Sequence, residues 1–150
     1  MTAAGAALRR LQFGFSGAAQ EIMPRVESVE VFLLQAGCTV ASARNIAVVT
    51  EEILTNIARY AWPDEGRGAC TVEVVAVVEP ASVRVCLRSE DDGIAFDPTE
   101  ADVAELDAAL QERRVGGLGI VLIKSMTDTQ SYRRAGARNV FAVTRICPRS

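Results

Sequence analysis

Residues 41–61 read ASARNIAVVTEEILTNIARYA. Apolar side chains recur at Ile46, Val49, Ile53, Ile57 and Tyr60, steps of three or four residues that align them along one face of a helix. The rhythm ends before Trp62-Pro63 and the turn Asp64-Glu65-Gly66, where proline and glycine interrupt a helix. An amphipathic helix must bury its apolar stripe against another element, so what flanks it decides the fold class.

Upstream, Ala19 to Ala36 places Ile22, Val26, Val29, Phe32 and Leu33 at helical spacing, with Pro24 assigned to a first turn and Gly37 as the C-terminal stop. Before it, LRRLQFGFS (residues 8–16) alternates in the manner of a strand. Downstream, CTVEVVAVVE (70–79) and SVRVCLRS (82–89) are rich in β-branched residues and flank the turn Pro80-Ala81, which predicts an antiparallel hairpin. Residues 90–116 are broken by glycine and proline, and the expectation is a mobile loop holding one short helix, AELDAALQERR (104–114). LGIVLIKSMTD (118–128) follows as a buried helix, and TQSYRRAGARNVFAVTRI (129–146) as two strands around Gly136. This order predicts an α+β two-layer sandwich, with helices covering one face of a sheet.

The 150 residues, 49% of them hydrophobic, suffice for one core and predict a single domain spanning 1–150. A formal net charge of −3 gives no overall attraction to nucleic acid or to an anionic membrane, although it leaves room for a local basic patch. The chain has no histidine, which excludes Ser-His-Asp catalysis, His-bearing zinc sites and histidine autophosphorylation. Cysteines 38, 70, 86 and 147 lack the spacing of a zinc knuckle or a redox motif and read as buried or idle thiols. No apolar run approaches the roughly 18 residues of a membrane helix, and MTAAGAALRRLQF does not read as a leader. A soluble protein in the reducing cytoplasm is the expectation.

Three local features carry chemistry. Glu52 and Asn56 lie four residues apart on the long helix, about 40° of arc from each other at the border of the apolar stripe. A carboxylate and a carboxamide so placed can order a hydroxyl or water and ligate a hard cation such as Mg²⁺, but the spacing alone also fits a solvated helix edge. In SEDDGIAFDP (89–98), Asp91 followed by Gly93 sets an acceptor beside backbone that can approach a flat ligand, as recognition of an exocyclic amine requires. The same acids could form an ordinary turn, whereas the alternating acids and terminal Glu of a calcium loop are missing. VGGLGI (115–120) opens a helix, where free N–H groups and the helix dipole favour phosphate, and Arg113 and Arg114 just upstream supply guanidinium forks for its oxygens. A P-loop's Lys-Ser/Thr and a preceding strand are both lacking, so neither a Walker nor a Rossmann reading fits.

Together and in this order, EEILTNIARYAW, DDGIAFDP and GGLGIVLIKSMTD, with the tail SYRRAGARNVFAV, resemble the boxes of the GHKL ATPase superfamily, and specifically the anti-sigma-factor serine kinases of bacterial partner-switching systems. The similarity runs from about Ala19 to Arg145. It implies a Bergerat-type fold with a mixed, mainly antiparallel sheet, binding ATP and Mg²⁺. On that resemblance Glu52 is the general base, Asn56 the Mg²⁺ ligand and Asp91 the acceptor for the adenine amine. Gly93 belongs to the same box, and Ala95 stands where many relatives have its second glycine. Gly117, Leu118 and Gly119 form the box at the triphosphate, and residues 99–115 are the ATP lid. Tyr60 replaces a histidine common in relatives, and Asn139 a threonine that some carry on the final strand.

The resemblance implies a serine/threonine kinase that phosphorylates an anti-anti-sigma (STAS-type) antagonist and sequesters a sigma factor or similar regulator, with homodimerisation expected on the same ground. With no imidazole to phosphorylate, such a chain would send phosphate to a hydroxyl on another protein, and its length suggests the ATP-binding domain standing alone. The alternative is a nucleotide-dependent sequestering module with little or no kinase activity. Glu52 argues against it, because a pure binder needs no base. The third possibility is an α+β domain with coincidental motifs.

Overall fold

The structure, a computed structural model, describes residues 6–64, 67–100 and 115–150. Strand β1 (Ala7–Phe15) leads into helices α1 (Ala19–Gln35) and α2 (Val40–Tyr60), then strands β2 (Cys70–Val78) and β3 (Ser82–Asp91). A short 3₁₀ turn (Pro98–Glu100), helix α3 (Val115–Met126) and strands β4 (Thr129–Ala135) and β5 (Arg138–Pro148) complete the order. Of the mobile loop expected over 90–116, residues 101–114 with the short helix lie outside the described residues, while Glu90-Asp91 end β3 and Val115 begins α3.

The five strands form one sheet in the order β1-β2-β3-β5-β4. Every ladder is antiparallel, so among the described residues the sheet is not the mixed one that the resemblance implied. Burial alternates with period two along β2 and β3, and the inward set, which includes Val72, Val74, Val83, Val85 and Leu87, meets the helices. From α2 come Ile46, Val49, Ile53 and Leu54, and from α1 Val29 and Leu33, so the core lies between one helical layer and one sheet face. The α+β sandwich is therefore as expected.

Local chemistry explains the element ends. Gly37 has φ +103°, and the Cys38 N–H donates to Leu33 O (3.0 Å) while that of Gly37 donates to Leu34 O (3.1 Å), the paired closure in which glycine ends a helix. Thr39 then caps α2 by accepting from the Ser42 N–H. Pro24 sits in the second turn of α1 rather than the first, where it removes a helical donor. Tyr60, read as part of the apolar stripe, is 39% exposed and stacks on Phe96 instead of entering the core. All four cysteines are free: Cys38, Cys70 and Cys147 are buried and Cys86 partly so. Burial pushes the Cys70 thiol up to about 12, as befits an unreactive group. No helix among the described residues is long and apolar enough to cross a membrane.

Candidate functional site

β3 runs two residues past its expected end at Ser89, because Asp91 is held in ladders with Cys70 of β2 and Asn139 of β5. Asp91 is thus a strand residue with a defined direction, and it is 5% exposed. A buried carboxylate needs donors, and its Oδ1 accepts from the Gly93 N–H (2.9 Å) and Asn139 Nδ2 (3.0 Å). Gly93 is required sterically by the fold itself. A Cβ there would lie 2.5 Å from both Cβ and the carbonyl oxygen of Ala61, so the close approach is to the end of α2. The Ile94 N–H seals that contact by donating to Ala61 O at 2.9 Å.

Asp91 lines a pocket between α2, α3 and the sheet. Ile57, Phe96, Ile123 and Phe141 give it apolar walls, and Asn56, Asp91 and Asn139 converge on it as polar groups. Apolar walls with a few fixed polar groups suit a flat heterocycle. Phe96 is itself braced from outside by Tyr60, ring centroids 5.1 Å apart and nearly parallel.

On α2, Asn56 is buried at 6% exposure and lines the pocket, whereas Glu52 one turn earlier is half-buried. Burial, and secondarily the Glu51 charge, hold the Glu52 carboxyl above the usual carboxylate range, with Arg59 opposing. Among the described residues there is no cluster of three or more acidic or thiol groups able to cage a metal. Asn56 could supply one carboxamide oxygen at the pocket to a hard cation such as Mg²⁺, which keeps most of its waters.

Gly117, Leu118 and Gly119 lie inside α3, which starts at Val115, so this box is the helix's beginning rather than a loop leading to it. Arg113, Arg114 and most of the expected lid (99–115) fall outside the described residues. At the lid's near end, the Thr99 N–H donates to Asp97 Oδ1 (2.8 Å), and Lys124 Nζ donates to Thr99 O (3.2 Å), tying the box to α3. Ala95 is exposed on the connecting loop.

Sequence reasoning gave Asn139 no role, yet it is the most connected side chain of the site. Nδ2 donates to Asp91 Oδ1 and to Ile94 O (2.6 Å), and Oδ1 accepts from the Phe96 N–H (3.3 Å), Tyr132 Oη (2.5 Å) and Arg134 Nη1 (3.1 Å). The available signal was an asparagine, poorly suited to strands, within the β-rich run of β5. Trp62 Nε1 was also missed: it donates to Asp92 Oδ1 (2.7 Å), which also accepts from the Ala69 N–H (3.0 Å).

Comparison with known proteins bears on this geometry. Residues 18–145 match the histidine kinase-like ATPase domain family. The chain is 29% identical over 98 residues to the serine-protein kinase RsbW of Listeria monocytogenes serotype 4a, and equally so to that of Listeria innocua serovar 6a. The matched segment covers 63% of this chain and 60% of each relative, so the chain spans under two thirds of their length. Among solved structures, the SiaB-SiaC complex from Pseudomonas aeruginosa contains a chain with TM-score 0.54 and 20% identity, covering 89% of both. The RsbU and RsbW domains of a Mycobacterium tuberculosis protein give TM-score 0.58 at 10% identity, covering 94% of this chain and 32% of that one. These two similarities establish the fold, and the family match extends across both layers and every box. The chain belongs to the histidine kinase-like ATPase domain family.

Proposed function

We propose that the protein is an ATP-dependent serine/threonine kinase of the partner-switching type, phosphorylating a small anti-anti-sigma (STAS-type) antagonist and, in its alternate state, sequestering a sigma factor or similar regulator. The observation that carries the nucleotide part is the buried Asp91 carboxylate, fixed through one oxygen in an apolar-walled pocket. The similarity to serine-protein kinases named RsbW supports the choice of a protein hydroxyl as acceptor. The absence of histidine agrees with it.

In this reading Asp91 accepts a hydrogen bond from the adenine amine, while the pocket's apolar walls hold the ring. The first turns of α3 direct backbone N–H groups toward the triphosphate, with Arg113 and Arg114 as its guanidinium partners. Asn56 would hold Mg²⁺, which neutralises charge developing on the transferred phosphoryl group. Glu52 takes the proton from the attacking serine hydroxyl as the new O–P bond forms and the bond to ADP breaks. Its raised pKa is in the direction that strengthens a base. The remainder of the work is positioning the antagonist's serine in line with the γ-phosphate.

The test is label transfer from γ-labelled ATP to the cognate antagonist, with Glu52→Gln in parallel. A kinase loses transfer in the variant by about 100-fold or more while keeping ATP. A sequestering module transfers nothing in either form and holds its target unchanged. Absence of transfer by folded wild-type protein contradicts the kinase reading.

A further inference from the structure

The contacts of Asn139 reach beyond the site chemistry described so far. Its side chain, 5% exposed on β5, uses both ends. Through Nδ2 it holds Asp91 Oδ1 and Ile94 O, and through Oδ1 it holds the Phe96 N–H, so three points of the segment 91–96 are fixed by one carboxamide. Tyr132 and Arg134 of the neighbouring strand β4 donate to the same Oδ1 and fix the carboxamide's orientation in turn. Arg134 Nη1 also donates to Gly93 O at 2.8 Å, bracing the segment a second time. Because the Arg134 guanidinium and the Phe96 N–H can only donate and Ile94 O can only accept, the Asn139 oxygen must face the first two and its amide must face Ile94 O and Asp91.

We infer that Asn139 is a positioning residue that sets the base selectivity of the nucleotide pocket. It occupies Asp91 Oδ1 together with the Gly93 N–H, so the carboxylate presents Oδ2 to the ligand in a single orientation. The inference rests on the nucleotide reading of the pocket. Among the described residues both hydrogen bonds to the Asp91 carboxylate land on Oδ1 and none on Oδ2. An ionised carboxylate is acceptor-only, so a fixed Oδ2 rewards an exocyclic amine and repels a carbonyl oxygen at the same place. Without the carboxamide, the carboxylate can rotate or admit water, and the distinction between the two groups weakens. The same change frees the Phe96 N–H and loosens the pocket wall. Asn139 needs no contact with the base to do this.

The experiment measures dissociation constants of ATP and of inosine triphosphate, which carries a carbonyl in place of the 6-amine, on the full chain. The two ligands share every phosphate contact, so their ratio isolates the base. Wild type is expected to favour ATP by on the order of 100-fold. Asn139→Ala reduces that preference by about tenfold, and Tyr132→Phe, which removes one brace and little volume, reduces it by about threefold. A merely structural residue would weaken both ligands alike and leave the ratio intact. An unchanged ratio in folded Asn139→Ala overturns the inference. If that variant does not melt cooperatively, an unchanged ratio in Tyr132→Phe overturns it. Wild type binding both ligands equally also overturns it, with the nucleotide site retained. Wild type binding neither removes the nucleotide reading itself.

Discussion

Glu52 is half-buried beside another carboxylate, so ionising it in the folded protein costs more than in the unfolded chain. Its folded pKa is raised, so between the ordinary carboxylate range and the raised value the folded state binds the proton more tightly. Stability is therefore lost as pH rises through that window. Glu52→Gln keeps the shape without the charge. It is expected to melt with the wild type below about pH 4 and above it near about pH 7, as read by thermal denaturation across pH. A variant less stable at neutral pH would mean that an unassigned favourable contact holds Glu52. Gaining stability while losing transfer is what a functional charge kept at a cost predicts. The pairing of Glu52 and Asn56 on one helix was legible from their spacing, because helical period alone fixes it. The hold of Asn139 on Asp91 was not, since 48 residues separate the two and only the β3–β5 ladder brings them together.

The segment after β3 turns on its packing against α2. Gly93→Ala would push a methyl into Ala61, and the expected cost is about 1–3 kcal/mol, measured as a lowered urea midpoint. A neutral substitution would show that the junction can open freely. Beside it, the Ala69 N–H and, next, the Trp62 indole hold the Asp92 carboxyl below its ordinary range. A depressed acid contributes stability above its unfolded pKa and loses it as pH falls through the folded value. Asp92→Asn should therefore melt below the wild type at neutral pH, and the difference should shrink as acid protonates the folded carboxyl. Trp62 is the chain's single tryptophan, so its emission should shift to the red in the variant. Element identities were legible wherever burial imposes a period, as along α2, β2 and β3. The extension of β3 through Glu90-Asp91 was not, because polar residues at a sheet end carry no alternation. The steric demand for glycine at 93 was not legible either, because it comes from Ala61, a partner no local pattern indicates.

Across the whole molecule, one core joins the helical layer to the sheet, with the candidate site at its edge, sharing Ile53, Ile57, Ile123 and Phe141 with it. Damage deep in that core should therefore reach both layers at once. Leu54→Ala, at a fully buried α2 position, is expected to cost about 2–5 kcal/mol in a single denaturant transition. Two transitions would mean that the layers unfold separately. The two-layer plan was legible because the order of periodic segments allows few arrangements, whereas the all-antiparallel sheet needed the pairing itself. The most direct measurement is calorimetric titration of the wild type and Asp91→Asn with ATP in the presence of Mg²⁺. A nucleotide site built on Asp91 requires saturable one-to-one binding by the wild type, weakened at least about tenfold by the substitution while the fold is retained. Equal binding by both proteins, or none by the folded wild type, would contradict such a site.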